Sequence, residues 1–332
     1  FIIINYFSNP EQFANNNLLI QIEKLGITTN LAITLFLLLL LSFLLKTLSQ
    51  IVFYWSQSKI VQNLRAQLSL YYFRGYLNLP RLFHLRINIS EIVKNITYEV
   101  DYFVAAIFSV STIIMELIIL FSLVTFLLFI NPKVAFFSFS VLVAFALIIH
   151  ALNSSIMTML GKERSKRVNA RFKLIIEGLS GSKIFKLAGR KDSFIENFNI
   201  QNNRLAKIFQ TITFRNNLPR PLFELLILFL IIFLVVIFLN KDNNILAIIP
   251  ILGTFLAAGY RLVPSFGKII SNIQNYQFYI QSGLKLYRNK EKFESSQNKQ
   301  KQTNLNIFKN AIELKNISFS YEKNLGNHEK LI

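Results

Sequence analysis

The chain has 332 residues, of which 53% are hydrophobic and 33 are phenylalanine, with a mean hydropathy of +0.43 and a formal net charge of +19. Apolar runs long enough to cross a bilayer recur along its whole length, which places it with polytopic membrane proteins and excludes a soluble core or a single cleaved secretory signal. It has no cysteine, and His84, His150 and His328 lie far apart with no H-E-x-x-H pattern; disulfides, thiolate catalysis and Cys-based metal or cluster sites are excluded, and no metal ligand is assigned.

Taken in chain order, Phe1-Ile-Ile-Ile4 reads as the tail of an apolar span, and an opening without methionine is the first reason to expect an incomplete protein. Further spans are predicted at 31–56, 105–130, 133–160, 219–239 and 245–267. Each has roughly 20 residues or more, enough for a helix across ~30 Å of hydrocarbon. The connections alternate between short and long. Asn131-Pro132 reads as a tight turn, whereas 57–104 and 161–218 keep helical apolar spacing through Leu64, Leu68, Tyr71 and Tyr72 and through Phe172, Leu174, Ile175 and Leu179, as helical extensions of the spans would. Each long connection contains a break, at Leu79-Pro80 before Arg81-Leu-Phe-His84 and at Ala188-Gly189 before Arg190-Lys-Asp-Ser-Phe194. A helix, break and short helix read either as a kinked loop or as a transverse element offered to something beneath the membrane. From Tyr287 to Asn310 the chain is rich in Lys, Asn, Gln and Ser and reads as a solvated connector. Ile317, Phe319 and Tyr321 then alternate with polar residues as a half-buried strand does.

The positive charge is unevenly placed. The two long connections hold Lys59, Arg65, Arg74 and Lys94, then Lys162, Arg164, Arg171, Arg190 and Arg215 among others, while residues 5–30, 131–133 and 240–244 hold only Lys24, Lys133 and Lys241. The positive-inside rule puts both long connections and the C-terminal end in the cytoplasm. Basic residues interleaved with spans are an orientation signal, so nucleic acid is not expected as a partner.

Three basic residues fall within or at the edge of spans. Lys46 is 15 residues into a span running inward, Arg261 is 16 residues into another, and Arg220 opens one at its inner end. At 1.5 Å per residue they lie roughly 22, 24 and 30 Å below the outer boundary, the level of a phosphate headgroup on the inner leaflet. Lys46 and Arg220 are also near enough to the inner surface to snorkel. Arg261 is the stronger candidate, flanked by Gly259, Pro264 and Gly267. Glu116 and His150 sit inside spans, and Glu224 is placed at i+4 to pair with Arg220. Gly253 and Ala257, small residues at i and i+4, are expected to mark close helix packing.

Together, six spans with the first truncated, long inner loops and the closing Leu314-Lys-Asn-Ile-Ser-Phe-Ser-Tyr321 resemble the transmembrane domain of an ATP-binding-cassette (ABC) exporter across essentially the whole chain. The fold class so implied is an all-α polytopic six-span bundle at 1–287, a polar linker at 288–310, and at 311–332 the first strand of an α/β nucleotide-binding domain. The resemblance makes Tyr321 the aromatic that stacks on adenine. It makes His84, Arg190 and Phe194 the elements that couple bundle to cassette, and ATP and Mg2+ the cofactors of the full-length protein. No G-x-x-x-x-G-K-[ST] occurs, and the signature and Walker B elements are missing, so the chain as given has no catalytic residues and cannot hydrolyse ATP. Ser8-Asn-Pro-Glu-Gln-Phe13, Asn17-Leu-Leu-Ile-Gln-Ile-Glu-Lys-Leu-Gly26, Glu177-Gly-Leu-Ser-Gly-Ser-Lys-Ile-Phe-Lys186 and Leu218-Pro-Arg-Pro-Leu-Phe-Glu224 are similar to flippases for lipid-linked oligosaccharides in bacterial protein glycosylation. That subgroup implies an amphipathic lipid-linked substrate, for which Lys46, Arg220 and Arg261 are the expected contacts by charge and depth, a homodimer surrounded by membrane lipids, and a place in the plasma (inner) membrane. Exporters of peptides or other lipids share parts of these motifs. A secondary transporter, or a membrane-anchored interaction protein without a cassette, is the reading if no phosphate-binding loop follows.

Overall fold

The computed structural model describes residues 31–80, 83–84, 87–241 and 245–301. They form α1 (Leu31–Leu77), α2 (Ile89–Lys94), a π-helical turn (Asn95–Glu99), α3 (Val100–Ile130), α4 (Pro132–Ser180), α5 (Ser182–Leu187), α6 (Lys191–Asn217), α7 (Pro219–Lys241) and α8 (Ile245–Lys301). Phe1–Ile4, the strand ending at Tyr321, and Arg81 and Arg86 lie outside the described residues.

Four helical stretches, Phe36–Leu77, Ile89–Ile130, Pro132–Ser180 and Lys191–Phe233, are long and apolar enough to cross a membrane, and the predicted 245–267 span is helical as part of α8. With 49 residues, α4 is ~73 Å long, more than twice the hydrocarbon thickness. Its second half therefore projects from the membrane as the sequence predicts. The tight turn has a local cause: the Asn131 side chain accepts from the Val134 N–H at 3.3 Å and Pro132 takes the first helical position, so α4 starts as α3 stops.

Three apolar clusters hold the bundle. In the spanning part Leu120, Leu142, Ile149, Phe223, Phe266 and Ile270 knit α3, α4, α7 and α8. Beyond it, Met157, Ile208, Ile212 and Phe278 join α4, α6 and α8. Val61, Tyr72, Tyr76, Val100, Leu286 and Phe293 pack the far end of α1 against α3 and α8. Glycine allows close approach along α8: a Cβ at Gly161 would meet the Phe278 carbonyl oxygen, and those at Gly75 and Gly283 would stand 2.6 Å from the Phe293 and Phe103 rings.

Two expectations are corrected here. The stretch after Tyr287 is not a solvated connector from its start: α8 runs on to Lys301 and buries Phe293 against Tyr71, Tyr72 and Tyr76, with ring centroids 6.4, 5.8 and 4.9 Å away. One aromatic in a polar run was enough to dock it. Nor do Gly253 and Ala257 mark a contact between helices among the described residues, since a Cβ at Gly253 meets nothing within 4 Å there and Ala257 is exposed.

Candidate functional site

Lys46, Ser49, Gln50 and Phe53 recur at i, i+3, i+4 and i+7 on α1 and so share one face. Met115, Ile118, Ile119 and Ser122 do the same on α3. Between these faces and Arg261 of α8 lies a groove of about 520 Å³. The structure thus brings two of the three predicted substrate residues to one site. Lys46 stands 5.1 Å from the centroid of the Phe43 ring, an attraction suited to a cation on an apolar helix.

Cross-helix hydrogen bonds fix relative depths. Gln57 donates to Thr112 at 3.3 Å, and Ser265 donates to Glu116 at 2.7 Å. Counting outward from the Gln57–Thr112 level at 1.5 Å per residue, Lys46 stands ~16 Å up α1, while Arg261 stands ~12 Å up by way of Glu116 and Ser265. The two cations are nearly level. Arg220 is elsewhere. It is exposed, pairs with Glu224 at 3.0 Å as the i+4 spacing predicts, and its backbone lies where a Cβ on Gly267 would approach within 3.3 Å.

Glu116 was visible in the sequence as a carboxylate inside a span; its partners were not. Its side chain is 2% exposed and accepts from the Ser265 hydroxyl at 2.7 Å and from Lys268 Nζ at 2.8 Å. Two α8 groups three residues apart converge on one α3 carboxylate.

A second buried charge cluster went unread in the sequence. Glu99 faces Lys94 at 3.2 Å and Arg164 at 3.9 Å, and it accepts from Ser165 at 2.7 Å. Arg164, fully buried, donates to Ser282 at 2.6 Å and lies 3.7 Å from the Tyr102 ring centroid and 5.0 Å from that of Phe278. Burial pulls the Lys94 ammonium down to about 8, against the opposing pull of Glu99. Burial also pushes Glu99 up, but the charge of Lys94, a serine hydroxyl and the charge of Arg164 together outweigh it and hold the carboxyl below its ordinary value. A five-residue separation does not bring two side chains together on an α-helix; the π turn over Asn95–Glu99 does.

At the tip of the second extension, Gly189 ends α5 with φ of 65° and Arg190 N–H returns to the Phe185 carbonyl at 3.1 Å. This is the left-handed conformation glycine adopts without strain. Phe194 then packs on Phe185 with centroids 4.6 Å apart. With Leu174, Ile175 and Phe198 they line an apolar groove of about 380 Å³. Arg190 is exposed beside it. In the first extension His84 is exposed, edge-on to Phe83, which packs on Tyr76. Tyr321, the expected adenine contact, lies outside the described residues.

The family model described as ABC transporter transmembrane region matches residues 9–256, a stretch that takes in α1 to α7, two walls of the Lys46 groove and both extension tips.

Proposed function

Because the chain belongs to the ABC transporter transmembrane region family, it is the multi-pass membrane part of an ABC exporter subunit, and we propose that it flips an amphipathic, anionic, lipid-linked substrate of the oligosaccharide-carrier type from the cytoplasmic to the outer side of the plasma membrane. The observation that carries this reading is the groove. Lys46 and Arg261 reach it from different helices at nearly one depth, where a phosphorylated headgroup of the inner leaflet would lie while its chains stayed among the apolar side chains. A peptide exporter has no equal need for two cations at one level inside the hydrocarbon.

The working unit in this reading is a homodimer. The spanning half of α1 exposes Phe36 to Leu45 almost continuously, a surface for lipid and for a second copy. ATP and Mg2+ would be held by a nucleotide-binding domain, with the basic extensions in the cytoplasm. The apolar groove at Phe185 and Phe194, rimmed by Lys186 and Lys191 next to Arg190 in the chain, would receive that domain's movement, and the His84 turn would give a second contact. The substrate reading is tested in proteoliposomes with ATP and a fluorescent polyprenyl pyrophosphate. ATP-dependent loss of accessible label is expected, and transport of a peptide library with no lipid movement would reverse the assignment.

Coupling has its own test. Replacing Arg190 to Phe194 by Gly-Ser sequence removes the Phe185–Phe194 contact and the rim charge. In the full-length protein, ATP binding is expected to survive while stimulation of hydrolysis by substrate is lost. Full stimulation would place the contact elsewhere.

A further inference from the structure

Glu116 is a carboxylate in a membrane-spanning helix, 2% exposed, and both of its partners come from α8. A charge so placed must be paired, because unpaired it costs several kcal/mol or more. Its neighbours along α3, Met115 and Ile119, line the Lys46–Arg261 groove. On α8, Arg261, Ser265 and Lys268 stand at i, i+4 and i+7 and so share one face. The groove is therefore followed, ~10 Å further along α8, by a third cation whose charge is already taken. Lys268 differs from its partner in freedom: its side chain is 48% exposed, on a flexible stem, whereas Glu116 is fixed.

We propose that Glu116 is a positioning residue that makes the groove select multiply charged headgroups, by holding Lys268 in an ion pair that a singly charged lipid cannot break. This rests on the anionic-lipid reading above. A phosphodiester lipid carries one negative charge and finds Arg261 and Lys46. To gain Lys268 as well it must strand the buried Glu116 charge with only the Ser265 hydroxyl, a loss its single charge does not offset. A pyrophosphate carries more charge and two phosphorus centres, so it engages Arg261 and still draws Lys268 away. Glu116 thus acts against the abundant wrong ligand more than for the right one. Bulk anionic lipid is excluded while the rarer pyrophosphate is admitted.

The test uses the purified protein in phosphatidylcholine nanodiscs, with and without phosphatidylglycerol. Binding of a labelled polyprenyl pyrophosphate is measured, and native mass spectrometry counts retained phosphatidylglycerol. In the parent, phosphatidylglycerol, limited to Arg261 and Lys46, is expected to compete little and to be retained only weakly. Glu116→Gln frees Lys268; phosphatidylglycerol should then be retained and raise the apparent Kd for the pyrophosphate about tenfold. Adding Lys268→Gln should abolish that sensitivity, which a merely structural role for Glu116 would not do. Glu116→Asp, a milder change that shortens the reach of the carboxylate to Lys268, should move selectivity the same way and serves where Glu116→Gln fails to fold. Unchanged exclusion of phosphatidylglycerol in whichever of these variants fold overturns the proposal. If the parent binds no pyrophosphate lipid, the substrate reading falls. Stronger retention of phosphatidylglycerol by the variants than by the parent still decides the role of Glu116.

Discussion

Arg261→Gln is expected to lower ATP-driven movement of a polyprenyl-pyrophosphate lipid by about tenfold or more. Arginine offers planar paired donors that match phosphate oxygens. Charge-assisted hydrogen bonds of this kind are worth about 1.5–3 kcal/mol each, and about 1.4 kcal/mol in the rate-limiting barrier is a factor of ten. Glutamine fills similar space without the charge. Lys46→Gln should deepen the loss because Lys46 lines the same groove at nearly the same level. Arg220→Gln should do far less: that guanidinium is already paired with Glu224 on another surface. Basal ATP hydrolysis by the full-length protein should survive in all three, since none of them touches the tip at Phe185 and Phe194. Parental transport by the Lys46→Gln/Arg261→Gln double variant would reduce both cations to surface anchors and remove the main physical argument for an anionic substrate. An Arg220→Gln loss as large as that of Arg261→Gln would show that the transporting state gathers the three cations into one ring.

How much of this was legible in the sequence depended on whether the signal was local. The Asn131-Pro132 turn, the break at Gly189 and the Arg220–Glu224 pair rest on residues within four or five positions of one another, and helix geometry alone places them. Lys46 and Arg261 could be assigned a depth, but depth does not fix azimuth; their common groove required the faces of α1, α3 and α8 to be known. Glu116 announced that it needed a partner without saying which of the chain's many cations it was. Lys268 lies 152 residues away. The Lys94–Glu99 pair was hidden for a different reason, since an α-helical reading of 94–99 turns the two side chains to different faces. The π turn that unites them has no sequence signature of its own. Phe293 was lost to averaging, a single aromatic inside a run of Lys, Asn and Gln whose composition spoke for solvent.

Glu99→Gln is expected to destabilise the fold by about 3–5 kcal/mol, the cost of breaking a buried ion pair by removing one partner. Two buried cations, Lys94 and Arg164, share that one carboxylate, so Glu99 is the member whose loss leaves the most uncompensated charge. Arg164→Leu should cost less in charge but also loses the ring contacts with Tyr102 and Phe278 and the hydrogen bond to Ser282. Lys94→Met should be close to neutral, because it leaves a one-to-one pair and swaps a buried ammonium for an apolar side chain of similar length. The order Glu99, Arg164, Lys94 is read from denaturant unfolding of the purified protein. The pH dependence follows from Lys94, whose folded value of about 8 lies below its ordinary 10.5. Between those values the unfolded chain binds more protons than the folded one, so this group makes stability rise as pH rises from about 8 toward 10.5. Lys94→Met should remove that rise, while the parent keeps it. Glu99 acts at the other end: its folded value lies below the ordinary one, so its contribution is present above the ordinary carboxylate range and is lost as pH falls through the folded value. An unfolding profile in which Glu99→Gln matches the parent, or in which Lys94→Met is the most damaging of the three, would mean that the charges are held by water or by a partner subunit and do not tie α3 to α4 and α8.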